Sequence, residues 1–147
     1  METEEVSIEI RSDPRLLRSV RSLVRSYLED LKLSGDRCDE VVLAVDEACA
    51  NSMRHSYGGR DDGTLRLTLG QQDDHVVIVL SDQGEPIPAA CLARKELAAP
   101  DPDTVAPGGL GVLLIYRVFD EVDYVPGDAQ GNRVTMRLRC PQSDSAT

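Results

Sequence analysis

The chain has 147 residues, of which 41% are hydrophobic and 29% are charged, as expected of one soluble globular domain with its own core. The formal net charge of −10 argues against a protein that binds nucleic acid or anionic membranes through a basic surface. It is compatible with a nucleotide site, because such a site needs local hydrogen-bond donors and no net positive charge.

The sequence lacks the marks of a secreted or membrane protein. Its start, METEEVSIEI, is acidic where a signal peptide is basic, and the longest apolar runs are far shorter than a membrane span. The four cysteines form no CxxC pair and are accompanied by only two histidines, which disfavours a zinc site. We therefore expect a cytoplasmic protein with free thiols.

The N-terminal part predicts a strand and then a helix. Residues 6–10, VSIEI, alternate apolar and polar side chains, the pattern of a half-buried strand. The SDP sequence at 12–14 favours a helix start, because a capping side chain precedes a proline whose missing N–H is not needed there. Apolar residues then recur at helical spacing over 16–31.

Four arginines lie between the apolar positions of this first helix: Arg15, Arg18, Arg21 and Arg25. Two interpretations are open. The arginines form a solvated helix face, or they form a contact surface for an acidic partner.

A second helix is predicted from Val41 to Gly59, after a break at 34–36 where Asp36 and Asp39 resemble a loose capping box. Most of its first half is apolar, yet Glu47 and Asn51 lie four residues apart and therefore on the same side of the helix. A carboxylate and an amide in such surroundings cost free energy unless something pairs with them.

The remainder predicts four more strands, at 64–69, 75–80, 121–125 and 134–138, and a helix from Leu110 to Val118. Between them, residues 86–107 hold five of the eight prolines, which is typical of a lid over a site or of a disordered segment. Residues 141–147 form a small polar tail that we expect to be disordered.

This order of elements predicts a single α+β domain over residues 1–140. Two hairpins make the sheet mixed but mostly antiparallel, and helices on one face give a two-layer sandwich. The polar alternates of the strands then leave the other face of the sheet open to water.

Three features bear on function: Glu47 with Asn51 on the second helix, Asp82 with Gly84 after a buried strand, and the glycines at 108, 109 and 111 before the last helix. Each is weak alone, since D-x-G after a strand is usually a turn and Gly-Gly-x-Gly can be a hinge. Together they fit a nucleoside triphosphate with Mg²⁺.

The chemistry assigns each feature a role. The side-chain oxygen of Asn51 is a hard ligand for Mg²⁺, and a glycine loop before a helix lets backbone N–H groups approach phosphates. Asp82 can accept a hydrogen bond from the adenine amino group, with Gly84 leaving room for the ring. Glu47 lies one turn from the metal ligand, where it can accept a proton from a group attacking the γ-phosphate.

These motifs resemble the N, G1 and G2 boxes of the GHKL ATPase superfamily, which has the Bergerat ATP-binding fold. More closely, AVDEACANSMRHSYGG, LSDQGEPIP and PGGLGVLLIYRVFDEVDY resemble the anti-sigma-factor serine/threonine protein kinases. The resemblance covers residues 5 to 140.

The resemblance implies Glu47 as catalytic base, Asn51 as Mg²⁺ ligand, Asp82 and Gly84 at adenine, Gly108, Gly109 and Gly111 at the phosphates, and 86–107 as the ATP lid. The superfamily often has a second glycine where this chain has Pro86, a substitution similar to the anti-sigma branch. It also often has Gly-Thr near adenine where this chain has Gly131-Asn132. His55 matches a histidine of this branch, with a structural or a catalytic role open.

Two functions follow as hypotheses. In the first, the protein is a serine/threonine kinase and anti-sigma factor that uses ATP and Mg²⁺ to phosphorylate a STAS-type anti-anti-sigma partner, and it also binds a sigma factor. In the second, it is a non-catalytic ATP-binding switch that sequesters a regulatory protein, although the presence of Glu47 counts against this. The resemblance also implies a homodimer, whereas direct nucleic-acid and membrane binding are not expected.

Overall fold

The computed structural model of the protein describes residues 3–86, 109–128 and 131–140. The predicted lid, apart from Pro86, lies outside the described residues, as do Gly108 and the predicted tail at 141–147.

Five strands form one sheet in the order β1-β2-β3-β5-β4. All four pairings are antiparallel, so the sheet contains no parallel pair among the described strands and is simpler than the mixed sheet we expected. The strands are β1 (Thr3–Arg11), β2 (Thr64–Gln72), β3 (His75–Asp82), β4 (Glu121–Asp128) and β5 (Gly131–Arg139).

The central position of β3 explains its sequence. It pairs with β2 along one edge and with β5 along the other. A continuous apolar run is expected of such a central strand, because neighbouring strands shield it on both sides. In β2, by contrast, Leu65 and Leu67 are buried while Thr64 and Arg66 are exposed, as the alternation predicted.

The first two helices are α1 (Leu17–Asp30) and α2 (Gly35–Asn51). A short 3₁₀ turn precedes α1, and there the side chain of Asp13 accepts a hydrogen bond from the backbone N–H of Arg15 at 3.0 Å. The cap of α2 is Ser34, which accepts from the backbone N–H of Arg37 at 3.2 Å, so the predicted capping role of Asp36 is wrong.

The second helix does not continue as a regular α-helix to Gly59. After Asn51 the chain forms a π-helical turn over Ser52–Ser56, and Gly58 and Gly59 follow with φ angles of 59° and 83°. Glycine is favoured at such angles because it has no Cβ to clash. π-helical turns are rare and concentrate at functional sites.

The core lies between the sheet and the helices and is almost wholly aliphatic. The helix α3 (Gly109–Val118) packs against α2, which also contacts α1, and this confirms the two-layer α+β sandwich. Burial raises the pKa of the Cys49 thiol to about 12, so this cysteine is a packing residue. In the described part of the chain, no helix is long and apolar enough to cross a membrane.

Three of the four arginines of the first helical region have anionic partners within the chain. The N···O distances are 2.6–2.7 Å for Arg15 with Asp13, Arg21 with Asp46 and Arg25 with Asp39. A guanidinium group that already pairs with a carboxylate of the same chain has less capacity to bind an acidic partner. The solvated-face interpretation is therefore favoured.

Candidate functional site

A small, open cleft lies where the end of α2, the end of β3 and the start of β5 meet. The cleft brings Asn51 and Asp82 together, as the sequence predicted for a shared site. Its lining residues are Ala48, Asn51, Ser52, Leu80, Asp82, Tyr124, Val125, Asn132, Arg133 and Val134.

Asp82 lies at the floor of this cleft and is 4% exposed. Its Oδ2 accepts hydrogen bonds from the hydroxyls of Ser52 and Ser56, at 2.6 and 2.7 Å. Its Oδ1 accepts from the backbone N–H of Gly84 at 3.0 Å and from the side-chain amide of Asn132 at 2.9 Å. These four donors fill the roughly four acceptor positions of a carboxylate.

A ligand amino group can therefore reach Asp82 only if one donor turns away. The serine hydroxyls can do so, because a hydroxyl rotates about its C–O bond and can accept as well as donate. Ser52 lines the cleft and is the nearest candidate. The carboxylate is thus held in place by its four donors, and its predicted role at adenine stays a prediction.

Asn132 takes up the place where the superfamily often has threonine, and it contacts Asp82 directly. β5 pairs with β3 so that Asn132 lies opposite Asp82. The Asn132 amide also donates to the carbonyl oxygen of Glu85 at 2.8 Å, and its Oδ1 accepts from the backbone N–H of Gly127 at 2.8 Å. Asparagine therefore joins three segments around the carboxylate.

The surroundings of Gly131 leave no room for a side chain. Its φ angle is 82°, and a Cβ built there would overlap the carbonyl oxygen of Asp82. We expect Gly131→Ala to lower the free energy of unfolding by at least ~2 kcal/mol, since positive-φ strain and a steric overlap add together. Thermal unfolding should show a fall in melting temperature of about 5 °C or more.

Gly58→Ala is the matched control for this prediction. Gly58 also has a positive φ, but a Cβ at that position would meet no atom within 4 Å. Gly58→Ala should therefore lower the free energy of unfolding by the backbone strain alone, about 1 kcal/mol. If the two variants lost the same free energy of unfolding, the steric role assigned to Gly131 would be wrong.

Gly84 follows Asp82 by two residues, in the loop after β3. A Cβ at Gly84 would overlap the backbone carbonyl of Ser56, and the adjacent N–H of Glu85 donates to that same carbonyl at 2.7 Å. The glycine thus lets the loop after β3 pack on the π-helical turn. Its predicted role in leaving room for the adenine ring stays a prediction.

Asn51 is 5% exposed and ends α2 at the edge of the cleft. Its Oδ1 accepts a hydrogen bond from Nη2 of Arg54 at 2.5 Å, whereas its buried Nδ2 has no hydrogen-bond partner among the residues that the structure describes. A buried donor without a partner costs about 1–3 kcal/mol. The described part of the chain therefore leaves this donor unsatisfied.

Glu47 lies one helical turn before Asn51 and is half-buried. Its carboxylate makes no hydrogen bond or ion pair with any residue that the structure describes. It is not among the residues that line the cleft, so it lies beside Asn51 and outside the part that surrounds Asp82. A carboxylate in this position remains available to accept a proton.

The glycine motif is partly described. Gly109 and Gly111 lie in the first turn of α3, as predicted, while Gly108 lies outside the described residues. The first turn of a helix presents backbone N–H groups without intrahelical partners, which suits it to bind an anion.

His55 belongs to the π-helical turn and is half-buried. Burial lowers the pKa of its imidazole, and the charge of Arg54 lowers it further. The lowered pKa favours the neutral imidazole at pH 7, and the role of His55 stays a prediction.

Sequence reasoning missed the residues that hold Asp82 and Asn51. Ser52 and Ser56 are four residues apart after Asn51, which was a visible sign of a shared helix face, yet nothing local indicated that the face meets β3. Tyr57 was also missed. Its hydroxyl accepts from the N–H of Gln83 at 2.9 Å and donates to the carbonyl of Thr64 at 2.6 Å, which fixes the loop after β3.

Comparison with known proteins identifies the family of this chain. The model of the histidine kinase-like ATPase domain family matches residues 10–138. A serine-protein kinase RsbW of Bacillus licheniformis is 30% identical over 122 residues, which cover 78% of this chain and 75% of that protein. An anti-sigma F factor of Clostridium beijerinckii is 27% identical over 139 residues, covering 95% of this chain and 96% of that protein.

The fold agrees with a crystal structure of the RsbU and RsbW domains of a Mycobacterium tuberculosis protein. The TM-score is 0.60 with 16% sequence identity, and the match covers 92% of this chain. It covers 32% of the other chain, so this protein spans about a third of that length and the likeness concerns the fold alone. The family match contains Asn51, Asp82 and the described glycines, and the chain belongs to the histidine kinase-like ATPase family, in the branch of the anti-sigma-factor serine-protein kinases.

Proposed function

We propose that this protein binds Mg-ATP in the cleft and transfers the γ-phosphate to a serine or threonine of a STAS-type anti-anti-sigma protein. The observation that carries the proposal is the buried amide of Asn51, whose Nδ2 has no partner within residues 3–86, 109–128 and 131–140, at the edge of a cleft that ends on Asp82. A site with an unpaired donor at one end and a fixed carboxylate at the other suits a ligand that is anionic at one end and a base at the other.

The residues fit Mg-ATP in the following way. Asp82 accepts from the amino group of adenine, and the Oδ1 of Asn51 is a ligand for Mg²⁺. The first turn of α3 donates backbone N–H groups to phosphate oxygens. When bound, Mg²⁺ neutralises charge on the phosphates as the γ-phosphate is transferred.

The protein supplies few metal ligands of its own. The described residues contain no group of three His, Cys, Asp or Glu side chains that could hold a metal ion. This fits Mg²⁺, which is usually bound through one or two side chains together with substrate phosphates and water. The metal would then arrive with the nucleotide.

Glu47 is the proposed catalytic base. Its carboxylate is free of partners among the described residues and lies one turn from Asn51. In that position it can accept the proton of the attacking serine or threonine hydroxyl, which leaves as the new O–P bond forms. A site for binding alone would not require such a group.

The partners are proposed from the relatives. Proteins named serine-protein kinase RsbW and anti-sigma F factor are similar to this chain over three quarters or more of their length. We extend both roles to this protein, so that one molecule sequesters a sigma factor and phosphorylates the STAS protein. A homodimer in the cytoplasm completes the proposal.

Incubation with γ-³²P-labelled ATP, Mg²⁺ and a STAS-type anti-anti-sigma protein of the same organism is the experiment that tests this function. Label should appear on the STAS protein and should be lost when its acceptor residue is replaced by alanine. Retention of ATP without any transfer would support the non-catalytic switch instead. Absence of ATP binding would contradict both.

A further inference from the structure

The oxygen assigned to Mg²⁺ already has a cationic partner. Nη2 of Arg54 donates to Oδ1 of Asn51 at 2.5 Å, a short hydrogen bond from a charged group in partly buried surroundings. Arg54 lies in the π-helical turn that directly follows Asn51.

Guanidinium and Mg²⁺ compete for this oxygen. Mg²⁺ needs its ligand oxygens at about 2.0–2.1 Å in near-octahedral geometry, which leaves little space beside the metal. A second cation on the same oxygen would also repel the metal, because like charges at such short range raise the energy of both. The oxygen has two lone pairs, but repulsion between the two cations favours the state in which Arg54 has left when Mg²⁺ binds to Asn51.

Arg54 is the partner that can move. Its side chain is exposed, and it forms no ion pair with a carboxylate of the described residues. Asn51, in contrast, is 5% exposed and is fixed at the end of α2. The guanidinium can turn into solvent, while the amide cannot turn away from it.

We propose that Arg54 holds the metal-binding oxygen of Asn51 in the nucleotide-free protein and exchanges with Mg²⁺ when Mg-ATP binds. Arg54 then sets the Mg²⁺ concentration at which the site accepts the nucleotide. The inference rests on the proposed function, because it takes Mg-ATP as the ligand. Without such a ligand the contact is an ordinary i,i+3 pair on a helix.

The test is the Mg²⁺ dependence of binding of a fluorescent ATP analogue. Arg54→Met removes the competing cation and keeps a long side chain. We expect it to lower the free Mg²⁺ concentration for half-maximal binding by about tenfold, near the low end of what a hydrogen bond from a charged group contributes. Arg60→Met is the matched control, because Arg60 is exposed and follows the same turn without contacting Asn51.

A second measurement needs no nucleotide. In ¹⁵N-labelled protein the side-chain amide resonances of Asn51 should shift in Arg54→Met and stay in place in Arg60→Met. Unshifted resonances in Arg54→Met would show that the contact is absent in solution and would overturn the inference. This holds whatever the protein binds.

The remaining outcomes separate the two proposals. If the wild type binds the analogue with Mg²⁺ and Arg54→Met has the same half-maximal Mg²⁺ concentration, the exchange is wrong and the proposed function stands. If Arg54→Met only weakens binding at saturating Mg²⁺, Arg54 is a direct phosphate contact and the exchange is again wrong. If the wild type binds no nucleotide at any Mg²⁺ concentration, both proposals are wrong.

Discussion

Asn51→Ala is expected to abolish Mg-ATP binding, with a loss of affinity greater than about 100-fold. Replacing a residue that only hydrogen-bonds to a metal ligand already lowers metal affinity about 10–100-fold. Loss of the ligand itself should therefore lower the affinity further. The free energy of unfolding should change little, because the substitution also removes a buried Nδ2 that has no partner among the described residues. Displacement of a fluorescent ATP analogue measures the affinity, and thermal unfolding measures the stability.

Adenosine serves as the internal control for this variant. It carries the base and no phosphate, so its binding depends on Asp82 and should be the same in Asn51→Ala as in the wild type. Loss of adenosine binding would mean that the cleft itself is damaged. Unchanged affinity for Mg-ATP would remove Asn51 from the site altogether.

Glu47→Gln is expected to bind Mg-ATP normally and to transfer phosphate about 10²–10⁴-fold more slowly, the range for loss of a general base. Glutamine keeps the volume of the side chain and cannot accept the proton. The carboxylate has no partner among the described residues, so its loss should leave the fold unchanged. Single-turnover transfer to the STAS protein and equilibrium nucleotide binding, measured on the same preparations, separate chemistry from binding.

Asp46→Asn is the matched control for Glu47→Gln. It removes a carboxylate from the adjacent position of the same helix, and Asp46 is paired with Arg21 at 2.7 Å. We expect transfer at the wild-type rate. If Glu47→Gln also transferred at the wild-type rate, Glu47 could not be the base.

The sequence predicted those parts of the site that depend on local geometry. Glu47 and Asn51 share a helix face because helical periodicity fixes residues four apart, whatever surrounds them. The start of α3 and the end of β3 were likewise visible as changes of pattern along the chain, although the helix begins at Gly109 where Leu110 was predicted and the strand ends at Asp82 where residue 80 was predicted.

The contacts that complete the site could not be predicted because they join residues far apart in the chain. Asn132 reaches Asp82 only because β5 pairs with β3 in one register, and a shift of one residue would turn it to the other face. Ser52 and Ser56 reach the same carboxylate from the π-helical turn that replaces the α-helix after Asn51. Helical periodicity alone gives no sign of that change.

By itself, then, the sequence determined the candidate chemical groups and their order, since residue types and short spacings are fixed by the chain. The tertiary structure decided what each group is paired with. It gave Asp82 four donors, left the Nδ2 of Asn51 without an acceptor in the described part of the chain and placed Arg54 on the oxygen assigned to the metal. Such pairings depend on strand register and on the packing of helix ends against the sheet, and both are set by contacts across the whole domain.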